Sequence, residues 1–284
     1  MIARRFAVVG DPVSHSRSPA MHAAAYRALG LPHTYEALRA TGSELPGVVD
    51  ALREGRFDGL NVTVPHKERV LGLVDELDAS ARIVGAANTL VRSPGGRATA
   101  YNTDAPALAA ELDRLRGAHP LSARWDTGRA LVLGSGGAAR AAVAAFAKLG
   151  AREIVVRARA FDDASRRDRF AGAAPAAIIA QPWAASPASE EETIAVVQAT
   201  SAGMNGADPG AAVAGVVAWA SLPANAVAID VVYAPRDTPF LRAARARGLG
   251  SDDGLGMLAR QGALAFELWL GVGAPLAIMR AALE

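Results

Sequence analysis

Among the 30 basic residues of this 284-residue chain only two are lysine, Lys67 and Lys148, and every other one is arginine. A sequence that writes Arg wherever a surface cation suffices needs a reason to keep Lys. Lys148 has a plain one: it falls late in an Ala-rich run, 138–149, just before Gly150, where a cation suits a helix C-terminus. Lys67 has no such reason. Unlike guanidinium, an ammonium can release its proton at accessible pH, so a site that moves a proton tolerates Lys and not Arg. Lys67 closes the run Asn61-Val62-Thr63-Val64-Pro65-His66-Lys67. There a strand followed by a turn puts Asn61, Thr63 and Lys67 at a strand's carboxyl end, where parallel α/β sheets bind ligands. Asn occurs five times, and three of these fall in short motifs: Asn61–Lys67, Gly85-Ala86-Ala87-Asn88-Thr89 and Asn102-Thr103-Asp104. Turn formation explains any one of them. Together with Ser14-His15-Ser16-Arg17-Ser18-Pro19 they read as a polar cage for a ligand.

A second chemistry-bearing run is Leu131-Val132-Leu133-Gly134-Ser135-Gly136-Gly137-Ala138-Ala139, a strand, a G-x-G-x-x-A turn and the start of a helix. Its glycines permit a tight turn and let a pyrophosphate approach backbone N–H groups at a helix N-terminus, so it points to a dinucleotide. The next strand, Ile154-Val155-Val156, ends in Arg157-Ala158-Arg159 and not in Asp or Glu. A basic residue there accommodates the 2′-phosphate of NADP, whereas an acidic one takes the ribose hydroxyls of NAD. The plainer reading is that these are solvated arginines of an Arg-rich protein, with Asp162 and Asp163 lowering the local positive potential.

Positioning these groups takes two α/β units. The apolar pattern predicts a strand over 6–10, then a helix from Ser18-Pro19 to about Leu29, with the Ser18 hydroxyl at its N-cap and Gly30 as its stop. It continues with a strand over 34–37, a helix over 43–54, a strand over 59–63 and a helix over 67–73 after Pro65. That alternation predicts parallel sheets with helices on their faces. After a polar connection, 116–128, strands are predicted over 129–134, 153–156, 194–199 and 226–232, with a helix over 136–149. The Pro- and Ala-rich segment 171–192 reads only as variable connection.

Composition narrows the function classes. With 51% hydrophobic and 20% charged residues the chain should fold, and with no Cys it has neither a disulfide framework nor a thiolate metal site nor a cysteine nucleophile. A net charge of only +2 gives no polyanion-binding role, so no nucleic acid partner is expected. No apolar run reaches the ~18 residues of a membrane helix, and the run before Asp11-Pro12 is too short for a secretory core. The expected location is cytoplasmic. His15, His22, His33, His66 and His119 lack metal-ligand spacing, so no metal is expected. Trp125, Trp183, Trp219 and Trp269 read as packing residues, and Glu190-Glu191-Glu192 as a solvated turn or helix start.

Over essentially its whole length the chain resembles the shikimate dehydrogenase family. The residues that carry the resemblance are His15–Pro19, Asn61–Lys67, Gly85–Thr89, Asn102–Asp104, Gly134–Ala139, Asp230–Tyr233 and Gly254–Gln261. The resemblance implies an α/β substrate-binding catalytic domain, 1–104 with 255–284, and a Rossmann-type doubly wound NADP-binding domain, 105–254, flanking a cleft. It implies reversible NADPH-linked reduction of 3-dehydroshikimate to shikimate in chorismate and aromatic amino-acid biosynthesis. By the same carry-over Lys67 and Asp104 are the catalytic pair. Ser16 and Ser18 hold the substrate carboxylate, with Tyr233 near it and the nicotinamide, and Asn61, Thr63, Asn88 and Gln261 bind ring hydroxyls. Gly134, Ser135, Gly136, Gly137 and Ala138 form the pyrophosphate loop, Arg159 meets the 2′-phosphate, and Val231, Gly254 and Met257 lie at the nicotinamide end.

The chain departs from the family pattern in places. Asp104 is followed by Ala105-Pro106 where the family has Gly, and the usual Asn-Arg-Thr reads Ala158-Arg159-Ala160. Asp163 stands where a further base is frequent, and Gln198 replaces the Asn of an Asn-Ala-Thr segment. The departures at Ala158, Ala160 and Asp163 relax the expected NADP preference, and Ala105-Pro106 is expected to tighten the linker where the domains hinge. The rival within the same chemistry is a quinate or dual quinate/shikimate dehydrogenase using NAD, against which the serine pair speaks. The rival of another class is a non-catalytic nucleotide-binding regulator, against which intact Lys67 and Asp104 speak. The expected partner is a small-molecule substrate, and monomer and homodimer are both left open.

Overall fold

A computed structural model describes residues 2–118, 124–185, 189–204 and 208–284. His119 and the middle of the 116–128 connection lie outside the described residues. The chain forms two compact units, Met1–Ala107 with Leu258–Glu284, and Leu108–Met257. They divide three residues beyond the boundaries drawn from the sequence, at 107/108 and 257/258.

The first unit runs β1 (Arg5–Gly10), α1 (Ser18–Ala28), β2 (Thr34–Arg39), α2 (Leu45–Arg53), β3 (Gly59–Val62), β4 (Glu76–Leu77), α3 (Ala79–Val84), β5 (Thr89–Arg92) and β6 (Ala98–Tyr101). α4 (Asp104–Gly117) then starts, and the unit ends after Ala107. The sheet order is β2-β1-β3-β5-β6-β4. β2, β1 and β3 are parallel, as the alternating pattern predicts, but β5 pairs antiparallel with both β3 and β6. The sheet is therefore mixed, which corrects the parallel expectation. The β5–β6 pairing has a local cause: Ser93-Pro94-Gly95-Gly96-Arg97 turns the chain straight back, with Gly95 and Gly96 at φ 99° and 82° and the Ser93 N–H bonded to the Arg97 carbonyl.

Strand β1 is buried on both faces. On one side Ala7 and Val9 pack with Leu45, Val49 and Leu52 of α2. On the other, Phe6 stacks on Trp269 at 4.8 Å. Gly59 leaves room for that indole, since a Cβ there would lie 2.2 Å from Trp269 Nε1, which donates to the Leu90 carbonyl. Two local expectations need correction. The N-cap of α1 is Arg17, without a side-chain cap, and Ser18 is its first helical residue. After Pro65 only a single 3-10 turn forms, Arg69–Gly72, because a run broken by Gly72 is too short to offset helix nucleation.

The second unit holds β7 (Arg129–Leu133), α5 (Gly137–Leu149), β8 (Glu153–Ala158), α6 (Ala164–Gly172), β9 (Ile179–Pro182), β10 (Thr193–Gln198), α7 (Ala211–Gly215), β11 (Val227–Asp230), α8 (Pro239–Ala246) and β12 (Gly250–Asp252). α9 (Leu255–Leu270) begins here and continues in the first unit, which α10 (Leu276–Ala281) completes. All the pairings are parallel, in the order β12-β11-β10-β7-β8-β9. Read from the other edge, this is the 3-2-1-4-5-6 order of the doubly wound dinucleotide fold, with its switch point between β7 and β10. The segment read only as connection contributes edge strand β9. A buried ion pair corrects two further expectations: Arg157 and Glu190 are 1% and 0% exposed and bonded to each other, not solvated. Arg157 also donates to Gln181 and to the Val216 carbonyl, while Glu190 accepts from the Thr193 hydroxyl at 2.8 Å. Among the described residues no helix is long and apolar enough to cross a membrane.

Candidate active site

Three separated Asn motifs meet because of the antiparallel turn in the first sheet. Asn61 of β3 lies opposite Thr89 of β5, and Thr89 lies opposite Tyr101 of β6. The carboxyl ends of β3 and β6 and the start of β5 thus share one end of the sheet. Asn88 immediately precedes β5, and Asn102, Thr103 and Asp104 immediately follow β6. The 11–18 loop leaves the carboxyl end of β1 beside them, with the Asp11 N–H on the Val64 carbonyl and the Thr63 N–H on the Val9 carbonyl.

At this end Lys67 Nζ donates to Asp104 Oδ2 at 2.7 Å, with side chains 16% and 4% exposed. Asn88 Nδ2 holds the other carboxylate oxygen at 3.0 Å and also reaches Thr103 Oγ1 and Gln261 Oε1, at 2.8 and 3.1 Å. Asn88 Oδ1 accepts from the Thr103 N–H at 2.7 Å. Asn61 Nδ2 donates to the Asn88 carbonyl and to Thr89 Oγ1. Asn102 Oδ1 accepts from the Ala105 N–H in the first turn of α4, so the Ala105-Pro106 departure is absorbed at a helix start where Pro is tolerated. Lys67, Asp104, Asn88, Asn61 and Gln261, drawn from positions 61 to 261, therefore form one hydrogen-bonded cluster. Thr63 and Ser16, both half-buried, share the same sheet end, as does the buried Ser18, whose N–H donates to Ser16 Oγ at 3.3 Å.

Two residues of this region were not found in the sequence. Tyr35, on β2, donates its hydroxyl to Asn61 Oδ1 at 2.7 Å. His22, on α1, stacks flat on Tyr35 at 4.2 Å, and burial pushes its pKa down to about 3. A buried Tyr in a strand requires a polar partner, which is the one signal that could have flagged Tyr35.

In the second unit Gly134 has φ 122°, and a Cβ there would meet the Ala199 carbonyl at 2.9 Å, so the turn after β7 demands glycine. Gly136 is the exposed N-cap of α5, with no side chain bonded to the helix's first N–H groups and open space where a Cβ would stand. Ser135, Gly137 and Ala138 are half-buried beside it. Uncapped N–H groups at the start of a 13-residue helix, next to an obligate glycine, fit a dinucleotide pyrophosphate. Val231 and Tyr233 follow β11, and both belong to this unit. Gly254 is forced, because a Cβ would lie 2.2 Å from the Val231 carbonyl oxygen. Met257 is buried in the first turn of α9.

Arg159 fits a phosphate contact by exposure: its side chain is 67% exposed, its guanidinium lies 5.1 Å from the Trp183 ring centre, and Asp208 is 3.7 Å away. Trp183 is thus placed beside an exposed cation, while Trp125, Trp219 and Trp269 pack against Phe146, Phe240 and Phe6. Asp163 caps α6 through the Ser165 and Arg166 N–H groups, which gives it a folding role in place of a phosphate contact. Gln198 joins the ends of β10 and β11, donating to Asp230 Oδ1 at 3.1 Å and accepting from the Thr200 N–H at 2.5 Å. Burial pushes the Asp230 carboxyl up to about 6, against the opposing hydrogen bond from Thr238. Among the described residues no three His, Asp or Glu side chains gather to hold a metal.

Residues 8–90 match the shikimate dehydrogenase substrate binding domain, and residues 254–284 the shikimate 5′-dehydrogenase C-terminal domain. The NADP(+) shikimate dehydrogenase of Methylobacterium radiotolerans is 44% identical, covering 93% of this chain and 90% of that protein. Among solved structures, shikimate 5-dehydrogenase from Thermus thermophilus in complex with NADP(H) and shikimate superposes with a TM-score of 0.80 at 38% identity, over 99% and 98% of the two chains. Quinate dehydrogenase from Corynebacterium glutamicum in complex with NAD superposes with a TM-score of 0.84 at 30% identity, over 99% and 98%.

Proposed function

The chain belongs to the shikimate dehydrogenase family, and from that premise we propose that it interconverts 3-dehydroshikimate and shikimate with NADP(H), using Lys67 and Asp104 as its catalytic pair. The observation that carries the reading is the 2.7 Å contact between this lysine and a buried carboxylate inside a cluster of amides. NADPH, when bound, supplies the hydride.

Reducing a ketone leaves charge on its oxygen, which must be met by a donor and then protonated. Lys67 does both: one ammonium proton is spent on Asp104, which holds the group in place, and the others are open to the substrate oxygen. In the oxidising direction the same nitrogen receives the hydroxyl proton. Asp104 is held in turn by Asn88, so the pair is oriented before substrate arrives. Ser16 and Ser18 take the substrate carboxylate, with Tyr233 as a further contact. Asn61, Thr63 and Gln261 read ring hydroxyls, and Asn88 reaches the ring by exchanging one of its present acceptors. The first unit is the substrate domain and the second the NADP domain, where Gly134, Ser135, Gly136, Gly137 and Ala138 cradle the pyrophosphate. Arg159 faces the 2′-phosphate, and Val231, Gly254 and Met257 border the nicotinamide.

A second reading, quinate oxidation with NAD, is favoured by one feature: Ala158 and Ala160 offer no polar side chain to a 2′-phosphate, and Asp163 offers a carboxylate, which repels one. The deciding experiment measures reduction of NADP+ and NAD+ with shikimate and with quinate. The proposal expects the highest kcat/KM for shikimate with NADP+. A preference for quinate with NAD+ moves the chain to the rival activity, and tight NADP+ binding without turnover of either acid makes it a non-catalytic binder.

A further inference from the structure

An Asn side chain offers two N–H donors and an oxygen with two lone pairs, and the hydrogen bonds made inside the protein decide what remains for a ligand. In Asn61 both donors are used, on the Asn88 carbonyl at 3.0 Å and Thr89 Oγ1 at 3.1 Å. The Asn88 carbonyl can only accept, so it determines which end of the amide faces it. Asn61 Oδ1 accepts from the Tyr35 hydroxyl at 2.7 Å. Tyr35 comes from β2, on the far side of β1 in the sheet, and its ring lies parallel to the His22 imidazole within 5°. Among the described residues neither nitrogen of His22 has a hydrogen-bond partner, and its imidazole presents a flat face to the phenol ring. Among the described residues one lone pair on Asn61 Oδ1 remains.

We propose that Tyr35 is a positioning residue: by holding Asn61 Oδ1, it fixes the amide's orientation and leaves it a single acceptor site. This rests on the shikimate dehydrogenase reading above. A lone acceptor attracts a hydroxyl and repels a carbonyl oxygen, so Asn61 reads a ring hydroxyl that stays a hydroxyl in both substrate and product. It does not face the carbon that is oxidised and reduced. That carbon needs a donor able to meet both oxidation states, which Lys67 provides.

The test compares Tyr35→Phe, Asn61→Ala and the double variant with the wild type, measuring kcat, the KM for shikimate, the KM for NADP+ and the thermal midpoint. Phe keeps the stack on His22 and removes only the hydroxyl. The expected result is a KM for shikimate raised about 5- to 10-fold, the size of one neutral hydrogen bond, with the KM for NADP+ and kcat within about twofold. In the Asn61→Ala background, Tyr35→Phe should add no further change, because Tyr35 acts through Asn61. A wild type active on shikimate with an unchanged KM in Tyr35→Phe overturns the inference alone. So does a rise in both KM values together, or an effect that persists without Asn61. A wild type that oxidises no shikimate overturns the function and this inference with it.

Discussion

Replacing Lys67 by Arg separates proton transfer from charge. Lys67 Nζ sits 2.7 Å from a carboxylate that is only 4% exposed, and Asp104 keeps one other hydrogen bond, from Asn88 at 3.0 Å. Lys67→Arg leaves a cation for Asp104, so the fold should lose little stability, but guanidinium does not give up a proton at working pH. Loss of a positioned proton donor lowers kcat by about 10²- to 10⁴-fold. Lys67→Ala should lose the same turnover and also leave the buried carboxylate without its counter-ion. Breaking a fully buried pair costs about 3–5 kcal/mol, and because Lys67 is 16% exposed and Asn88 remains, about 1–3 kcal/mol is expected here. The assay is NADPH oxidation by 3-dehydroshikimate, read by absorbance, with urea unfolding of each variant in parallel. An Arg variant with more than a tenth of wild-type kcat would refute the proton-transfer role.

Three further perturbations test other parts of the fold and the site. His22, held near pKa 3 by burial against 6.5 when unfolded, takes a proton only in the unfolded chain, so it draws stability down as pH falls from about 6.5 towards 3 and is silent above. His22→Leu should flatten the pH dependence of the unfolding free energy, read from urea titrations, by up to about 1.4 kcal/mol per pH unit across that window, and an unchanged pH profile would count against a neutral buried imidazole. Gly254→Ala must push the Val231 carbonyl away from a 2.2 Å approach, so it should lower the thermal midpoint and weaken NADP+ binding in calorimetry, and a wild-type affinity would contradict the tight packing. Arg157→Met should cost about 3–5 kcal/mol by stranding the buried Glu190, while Arg157→Met with Glu190→Leu should recover much of it in chemical denaturation. A double variant no better than the single would show that the other partners, Gln181 and Thr193, matter more than the charge.

The second unit was more legible in the sequence than the first, for a physical reason. Its central strands β7, β8, β10 and β11 are buried on both faces and appear as nearly continuous apolar runs, and its glycine turn stands between a strand and a helix. The first unit's β5 and β6 are four residues each with mixed burial, and their hairpin was announced only by Ser93-Pro94-Gly95-Gly96. Side-chain pairing was harder still. Arg157 and Glu190 look like surface charges in one dimension, because nothing in the spacing of positions 33 apart says that a buried strand end meets a turn. The composition did expose Lys67, since a lysine kept in an arginine-writing chain stands out. Tyr35 did not, because a tyrosine in a strand carries no mark of which polar group its hydroxyl will find.

The hydrogen-bond capacity of the Asn cluster says more about its ligand than its residue types do. Asn88 has two protons and three acceptors around Nδ2, and its oxygen accepts from both the Thr103 N–H and the Thr103 hydroxyl. Asn61 keeps one lone pair, and Asp104 is engaged through both oxygens. Of the cluster's charged and amide groups, Lys67 is therefore the one with more than one donor left over among the described residues. A site whose spare capacity is a cation's N–H groups, with an isolated acceptor to one side, is complementary to a carbonyl oxygen gaining negative charge beside a neighbouring hydroxyl. It is poorly matched to a purely donor ligand at the same point. That asymmetry follows from the buried amides being saturated by each other, and it is why the catalytic reading falls on Lys67 and not on the more numerous asparagines around it.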